Sequence, residues 1–268
     1  MKLKDKKKSL ISKIQELKSF VIAFSGGVDS TFLLAISYEI LGKAVIAVTA
    51  DSPLHSQQEL SAAKSIAKNI GVAHIIIRSR ELELPEFVQN NPNRCYLCKK
   101  ALFSEILDIA AEKAISHVAD GTNLDDLDDF RPGMQATREL GIISPLMEAS
   151  LRKADIRMLA KEMHLPTWDK PSNACLASRI PYGDSLTQKR LQMVADAEAA
   201  LLEMGFDRCR VRHHGDVARI EVPARRMQRL LIADNRLMVI ERLRKIGFIH
   251  VALDLEGYIQ GSMNRGLT

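Results

Sequence analysis

Short apolar runs alternate with longer amphipathic stretches over the first half of the chain. Phe20-Val21-Ile22-Ala23 is a continuous apolar run that predicts a buried strand over residues 20–24. Phe32, Leu33, Leu34 and Ile36 predict a helix over 30–41, and Ala-Val-Ile-Ala-Val-Thr predicts a second strand over 44–49. Leu60, Ala63, Ile66, Ala67 and Ile70 recur at helical spacing over 57–70. A strand over 73–77, a helix over 99–114 and a strand over 116–119 follow. Strands separated by helices of this length imply parallel pairing with crossover helices. Ligands of such sheets bind beyond the C-terminal ends of the strands. Gly26, Asp51 and Gly121 all fall just after predicted strands and can converge there.

The second half reads differently. A short helix over 156–163 stops before Pro166. Residues 166–183 hold three prolines, the only Trp and one Cys, without clear periodicity. A loop of that length within a compact chain is usually functional. A helix over 186–204, a hairpin over 210–222, helices over 224–232 and 235–245, and a strand over 249–253 complete the pattern. This β-β-α-β tail does not extend the first sheet simply. The expected organisation is a parallel-sheet α/β domain over 1–184, bearing the Cys loop, and a smaller α+β domain over 185–268 for substrate binding or oligomerisation.

Composition narrows the class. The chain has 268 residues, 46% of them hydrophobic, enough for a sizeable core. It has no apolar run of membrane-spanning length and no signal-like segment behind its Lys-rich start, so a cytoplasmic protein is expected. The four cysteines then point to metal or redox chemistry rather than disulfides. A net charge of +5 suits nucleotides or RNA. Aromatics make up 5% and do not interleave with the basic residues, so no stacking platform for single strands is visible and nucleic acid is not the expected partner.

Ser25-Gly26-Gly27-Val28-Asp29-Ser30 lies between the first strand and its helix. The glycines let the backbone turn and approach a ligand, and the helix start supplies aligned N–H groups for an anion. No Gly-Lys-Ser/Thr follows, so this is not a Walker loop. It resembles the PP-loop of ATP pyrophosphatases, which cleave ATP to AMP and pyrophosphate. That resemblance implies an adenine nucleotide α-hydrolase-like fold.

Cys95-Tyr96-Leu97-Cys98 is a metal or redox spacing, and Cys175 lies in the long loop. Two readings stay open. A His could complete a zinc site. Alternatively, three thiolates on a [4Fe–4S] cluster leave one iron able to bind an exogenous sulfide. Cys209, in the hairpin, reads as a buried small residue.

Taken together these residues resemble the LarE sulfurtransferase family, in its three-cysteine branch. The resemblance runs over most of the chain. It includes the PP-loop, Ala119-Asp120-Gly121-Thr122-Asn123, Asp125-Asp126, Arg131-Pro132-Gly133 and Ser172-Asn173-Ala174-Cys175-Leu176-Ala177-Ser178-Arg179-Ile180-Pro181-Tyr182-Gly183. It implies that ATP and Mg²⁺ activate a carboxylate of pyridinium-3,5-biscarboxylic acid mononucleotide as an adenylate, and that sulfur displaces AMP for nickel-pincer cofactor synthesis. It implies a [4Fe–4S] cluster on Cys95, Cys98 and Cys175, and a hexameric homo-oligomer. In the single-cysteine branch the residue matching Cys175 gives up its own sulfur. A cluster-dependent tRNA-thiolating enzyme is the rival reading.

The expected nucleotide contacts are Ser25, Gly26, Gly27, Asp29 and Ser30, then Asp51 and Ser52 after strand two, and Asn123 and Asp125 after strand four. Asp29, as Mg²⁺ ligand, and Cys175 are the expected catalytic residues. Asp29 could also cap its helix, and Asn123, Asp125 and Asp126 could simply form an Asx turn and cap. Arg179, Arg210 and Arg212 are candidate substrate-phosphate binders, the last two on one strand face. Glu198 and Glu221 resemble carboxylates of the single-cysteine branch. His213 and His214 read as hairpin-end residues.

Overall fold

The structure, a computed structural model, describes residues 1–128, 132–171 and 174–259; Arg131, Ser172 and Asn173 of the family-like motifs lie outside them. The chain forms two compact units, and they are interleaved in sequence rather than separated by one cut near 184. One unit comprises residues 1–52, 57–81 and 93–173; the other comprises 53–56, 82–92 and 174–268.

The first unit is built on β1 (Phe20–Ala23), β2 (Val45–Asp51), β3 (Ala73–Arg78) and β4 (Val118–Ala119), in the order β3-β2-β1-β4. Every neighbouring pair is parallel, as the strand–helix alternation predicts. Its helices are α1 (Leu3–Leu17), α2 (Val28–Leu41), α3 (Gln57–Ile70), α5 (Arg94–Glu112), α6 (Gly133–Glu139), α7 (Pro145–Glu148) and α8 (Lys153–Glu162); the intervening α4 (Pro85–Val88) belongs to the second unit. Both faces of the sheet are covered, which explains the unbroken apolar strands. Phe20, Ile22, Val45 and Ala47 join the core with α1, α2 and α8. Val21 and Val48 point the other way, into the core with Phe103, Ile106 and Ala110 of α5.

Three boundaries differ usefully from the sequence reading. The segment after β1 becomes helical at Val28, so Asp29 sits in the first turn of α2. α5 starts at Arg94 rather than at 99, so Cys95 and Cys98 are helical and one turn apart. Their spacing of three places both on the same helix face. β4 has only two residues, and Ile143 bridges Ala119 beside it.

The second unit holds α9 (Gln188–Glu203), β5 (Arg210–His214), β6 (Val217–Glu221), α10 (Ala224–Leu231), α11 (Ala233–Ile246) and β7 (His250–Leu253). The hairpin β5–β6 is antiparallel, and β7 adds to β6 in parallel, a separate three-stranded sheet as expected. Val211, Ala218, Ile220, Leu243 and Phe248 form its core with Ala197 and Leu201 of α9. The unit takes in residues 82–92 through buried Asn90. Its side-chain amide donates to the carbonyls of Pro181 at 2.7 Å and Asp184 at 3.0 Å, and its own carbonyl accepts from Gly183 at 3.2 Å. The 53–56 segment joins where the Leu176 amide donates to the Leu54 carbonyl at 2.8 Å. Among the described residues no helix is long and apolar enough to cross a membrane.

Leu33 is fully buried in α2, at the centre of the larger core of the first unit. Leu33→Ala is expected to cost about 2–5 kcal/mol through lost transfer energy and a residual cavity. A fall in the urea midpoint at unchanged slope checks this; an unchanged midpoint refutes it.

Candidate functional site

The PP-loop turns on Gly26, whose φ of +69° is left-handed. A Cβ there would also lie 3.1 Å from the Ala63 Cβ of α3, a tight contact that adds to the conformational preference for glycine. Past Gly27 the chain enters α2, with the Thr31 amide donating to the Gly27 carbonyl at 2.9 Å. Ser25 and Ser30 close the loop from its two ends. Their hydroxyls lie 3.1 Å apart, and the Ser25 amide donates to the Ser30 hydroxyl at 3.3 Å. On the other side of the helix start, a Cβ on Gly121 would lie 2.9 Å from the Ser30 backbone nitrogen. The loop after β4 therefore presses on the first turn of α2. That is the point where strand order reverses between β1 and β4, the usual ligand crevice of such sheets.

Asp120 shapes the loop after β4. Its buried carboxylate accepts from the Thr122 hydroxyl at 2.6 Å and amide at 3.1 Å, and from the Ser144 hydroxyl at 2.8 Å. Lys99 of α5 brings its ammonium to 3.6 Å from the same carboxylate. Asn123 and Asp125 form the Asx turn, with the Asp125 amide donating to the Asn123 side chain at 2.9 Å. Asp125 in turn accepts from the Lys153 amide at 2.8 Å and from Arg152, so its carboxylate anchors the start of α8. Those bonds, the Lys153 amide first, hold the Asp125 carboxyl below its usual range. Asp51 ends β2, and its carbonyl accepts from the Ser79 amide at 3.0 Å. The Ser52 hydroxyl donates to the buried Glu81 carboxylate, whose other oxygen has no partner.

Asp29 carries the main electrostatic feature. Its Oδ2 pairs with the Lys153 ammonium, while its buried Oδ1 has no hydrogen-bond partner. Burial pushes this carboxyl above its ordinary value, and Lys153 pulls it back. The Lys170 ammonium donates to the Gly26 carbonyl at 3.1 Å. Arg157 of α8 holds the Lys170 carbonyl at 2.7 Å and the Trp168 carbonyl at 2.9 Å. Lys99, Lys153 and Lys170 escaped the sequence reading because each stands far along the chain from the loop, in no motif. A buried oxygen at a helix N-terminus, beside backbone N–H groups, fits a hard divalent cation and phosphate.

In the second unit, Cys175 precedes a 3-10 turn, Leu176–Arg179. Arg179 is buried, and all three of its guanidinium nitrogens donate hydrogen bonds. It donates to the Glu198 carboxylate at 2.8 and 3.0 Å, to the Ala174 carbonyl at 2.7 Å and to the Cys175 carbonyl at 3.1 Å. Burial opposes its charge, but Glu198 overrides that and raises its pKa. Arg212 is likewise buried. It forms a bidentate pair with Glu221, both bonds at 2.8 Å, and donates to the Ser178 carbonyl at 2.7 Å. The expected basic face of Arg210 and Arg212 is thus neutralised at Arg212 by Glu221. Arg210 is half-buried and stacks on Tyr258 with 5.2 Å to the ring centroid. Glu198 and Glu221 are the arginines' counter-ions. His213 is buried at the hairpin against Phe248, with centroids 5.4 Å apart.

Cys95 is exposed and Cys98 and Cys175 are half-buried, whereas Cys209 is buried. Cys95 and Cys98 belong to the first unit and Cys175 to the second. Among the described residues no three of His, Cys, Asp and Glu gather as a metal-ligand set. Burial, then the Glu198 charge, pushes the Cys209 thiol up to about 12. At pH 8 Cys209 should therefore stay a thiol and resist iodoacetamide in the folded protein, yet alkylate in urea, as peptide mass spectrometry would show. Rapid native labelling would contradict its structural role.

Comparison with known proteins agrees with this geometry. Residues 19–89, the PP-loop and the two strands beyond it, match the family described as queuosine biosynthesis protein QueC. An uncharacterised protein of Synechocystis is 40% identical over 97% of this chain and 99% of its own length. The pyridinium-3,5-bisthiocarboxylic acid mononucleotide synthase of Lactiplantibacillus plantarum is 38% identical over 99% of this chain and 96% of its own. A tRNA-specific 2-thiouridylase of Xanthobacter autotrophicus is 27% identical over 61% of this chain and 51% of its own length. The PP-loop turn, the β1/β4 crevice beside it and the end-to-end match with the synthase agree, and the chain belongs to the LarE family of PP-loop enzymes.

Proposed function

We propose that the protein is an ATP-dependent sulfurtransferase acting on pyridinium-3,5-biscarboxylic acid mononucleotide, in nickel-pincer cofactor synthesis. The carrying observation is the PP-loop at the β1/β4 crevice, in a chain that matches the synthase along nearly its whole length. The tRNA thiouridylases that resemble the chain match it over about half of their own length.

A carboxylate is a poor electrophile, so one of its oxygens must be turned into a leaving group. Attack on the α-phosphorus of ATP gives an acyl-adenylate and pyrophosphate. Sulfide addition to the acyl carbon then expels AMP and leaves the thiocarboxylate. The backbone N–H groups at the start of α2 face the charge that develops on the phosphates. Mg²⁺, when bound, neutralises phosphate charge, and the partnerless Oδ1 of Asp29 is the oxygen suited to hold it. Ser25, Gly26, Gly27 and Ser30 form the phosphate cradle. Asp51 and Ser52 follow β2, where the adenosine is assigned. Asn123 and Asp125 support the cradle by fixing the loop after β4 and the root of Lys153.

Among the arginines, we assign substrate phosphate to half-buried Arg210. Arg179 and Arg212 act as positioning residues through the backbone around Cys175. For sulfur, the Cys95–Cys98 pair offers two thiolates on one helix face, with Cys175 as the third. That donor set suits a [4Fe–4S] cluster, which would supply a sulfide on the iron without a protein ligand. A homo-oligomer, hexameric as in the family, is part of the same proposal.

Two measurements test this reading. With ATP, Mg²⁺ and the biscarboxylate mononucleotide, the protein should yield AMP and pyrophosphate. Asp29→Asn should lower that rate by about 10²-fold or more at retained circular dichroism. ADP and phosphate as products would refute the assignment. Protein purified without oxygen should carry about four irons and four sulfides and lose them on Cys95→Ala, Cys98→Ala or Cys175→Ala, but keep them on Cys209→Ala. Stoichiometric zinc without iron, or dehydroalanine at 175 after turnover, would replace the cluster reading.

A further inference from the structure

The PP-loop contains no cation between Ser25 and Thr31, in contrast to a Walker loop with its lysine. Yet the proposed reaction ends with a pyrophosphate that takes up the electron pair of a broken P–O bond. Among the described residues three ammonium groups lie around the loop, and they are not equivalent. Lys99 sits 3.6 Å from Asp120, whose carboxylate is already committed to Thr122 and Ser144. Lys170 donates to the neutral Gly26 carbonyl, and its backbone is gripped by Arg157. Among these three only Lys153 pairs with a carboxylate of the loop itself, and that carboxylate is the suited metal ligand.

The geometry of Lys153 fits a group that moves. Its backbone is fixed, because its amide donates to Asp125 at 2.8 Å as the first residue of α8. Its side chain is 29% exposed and hangs on a flexible four-carbon stem. Asp29 has one oxygen taken by Lys153 and one buried oxygen without a partner. A divalent cation on that carboxylate would stand within a few ångströms of the ammonium, a strong repulsion in a partly buried site. Metal and ammonium therefore compete for Asp29. ATP brings the metal and, at the same time, new negative charge for the displaced ammonium.

We propose that Lys153 is the exchanging cation of this loop: it neutralises Asp29 in the nucleotide-free protein and passes to the pyrophosphate end of ATP when Mg²⁺ takes its place. This rests on the adenylylation reading above. The carboxylate oxygen of the substrate bonds to the α-phosphorus, and the bond from that phosphorus to the bridging oxygen breaks. The electron pair stays on pyrophosphate, and Lys153 neutralises it while keeping its own proton. The pair also keeps free metal off Asp29 until nucleotide arrives, so metal and ATP bind cooperatively.

The test uses Mn²⁺ as the metal, since carboxylate and phosphate oxygens suit both ions. Electron paramagnetic resonance titrations of the full chain measure bound Mn²⁺ with and without α,β-methylene-ATP. Wild type should bind Mn²⁺ weakly alone and about tenfold more tightly with the analogue. Lys153→Met should raise nucleotide-free Mn²⁺ affinity about tenfold and lower analogue affinity by a similar factor. Lys153→Arg, which keeps the charge, should leave nucleotide-free Mn²⁺ binding as weak as in wild type. Equal Mn²⁺ affinity of wild type with and without analogue would overturn the proposal even if the Met variant fails to fold. So would a Met variant with both affinities unchanged, or one with unchanged analogue affinity. Absence of pyrophosphate from wild type, ATP and biscarboxylate would instead defeat the functional reading, while the Mn²⁺ titrations still judge the Lys153–Asp29 exchange.

Discussion

The close approach of three backbone segments at the start of α2 governs the first unit. β1 delivers the chain into the Gly26 turn, α3 presses Ala63 against that turn, and the loop after β4 brings Gly121 onto the Ser30 nitrogen. No side chain larger than hydrogen fits at Gly121 without moving the helix start. The parallel sheet makes this approach available, because β1 is central and its neighbours β2 and β4 run the same way. Their C-terminal ends therefore open on one edge. Burial of Phe20 and Ile22 on one face and Val21 on the other fixes the strand's register, so the loop cannot slip relative to α2.

Charge at that point is balanced locally. α2 is buried along most of its length, and Asp29 in its first turn is largely buried. An isolated carboxylate there would shift toward its neutral form, and burial does act on Asp29 in that direction. Lys153 offsets the effect from α8, a helix whose start is tied back by Asp125. The loop after β4 thus contributes twice, through Gly121 to the shape of the helix start and through Asp125 to its charge.

Much of this could be read from the chain. The apolar runs located all four strands of the first sheet, and the helical periodicity of 57–70 matched α3 end to end. The start of α5 was harder to read, because Cys-Tyr-Leu-Cys has no amphipathic pattern to carry the helix back from 99 to Arg94. Asn90 was invisible, since a single polar residue gives no periodic signal, yet it draws residues 82–92 into the second unit. Lys153 and Lys170, which reach the loop from α8 and beyond, were missed for a related reason. An ammonium that acts across more than a hundred residues of sequence leaves no local trace. Arg179 and Arg212 read by residue type as phosphate binders, and only the fold shows that Glu198 and Glu221 hold their guanidiniums.

Those partners explain an otherwise costly arrangement. Two arginine–glutamate pairs, Arg212–Glu221 buried and Arg179–Glu198 largely so, stand in one small unit. Desolvating such pairs cancels much of their Coulomb attraction, and apolar side chains of similar volume would often be as stable. An apolar pair, however, could not donate to backbone carbonyls, as Arg179 does to those of Ala174 and Cys175 and Arg212 does to that of Ser178. Each carboxylate fixes the plane of its guanidinium by two bonds, and the remaining donor then has one direction in which to point. The backbone on both sides of Cys175 is held by those donors. The glutamates act on the cysteine segment at one remove, by orienting the arginines that grip it.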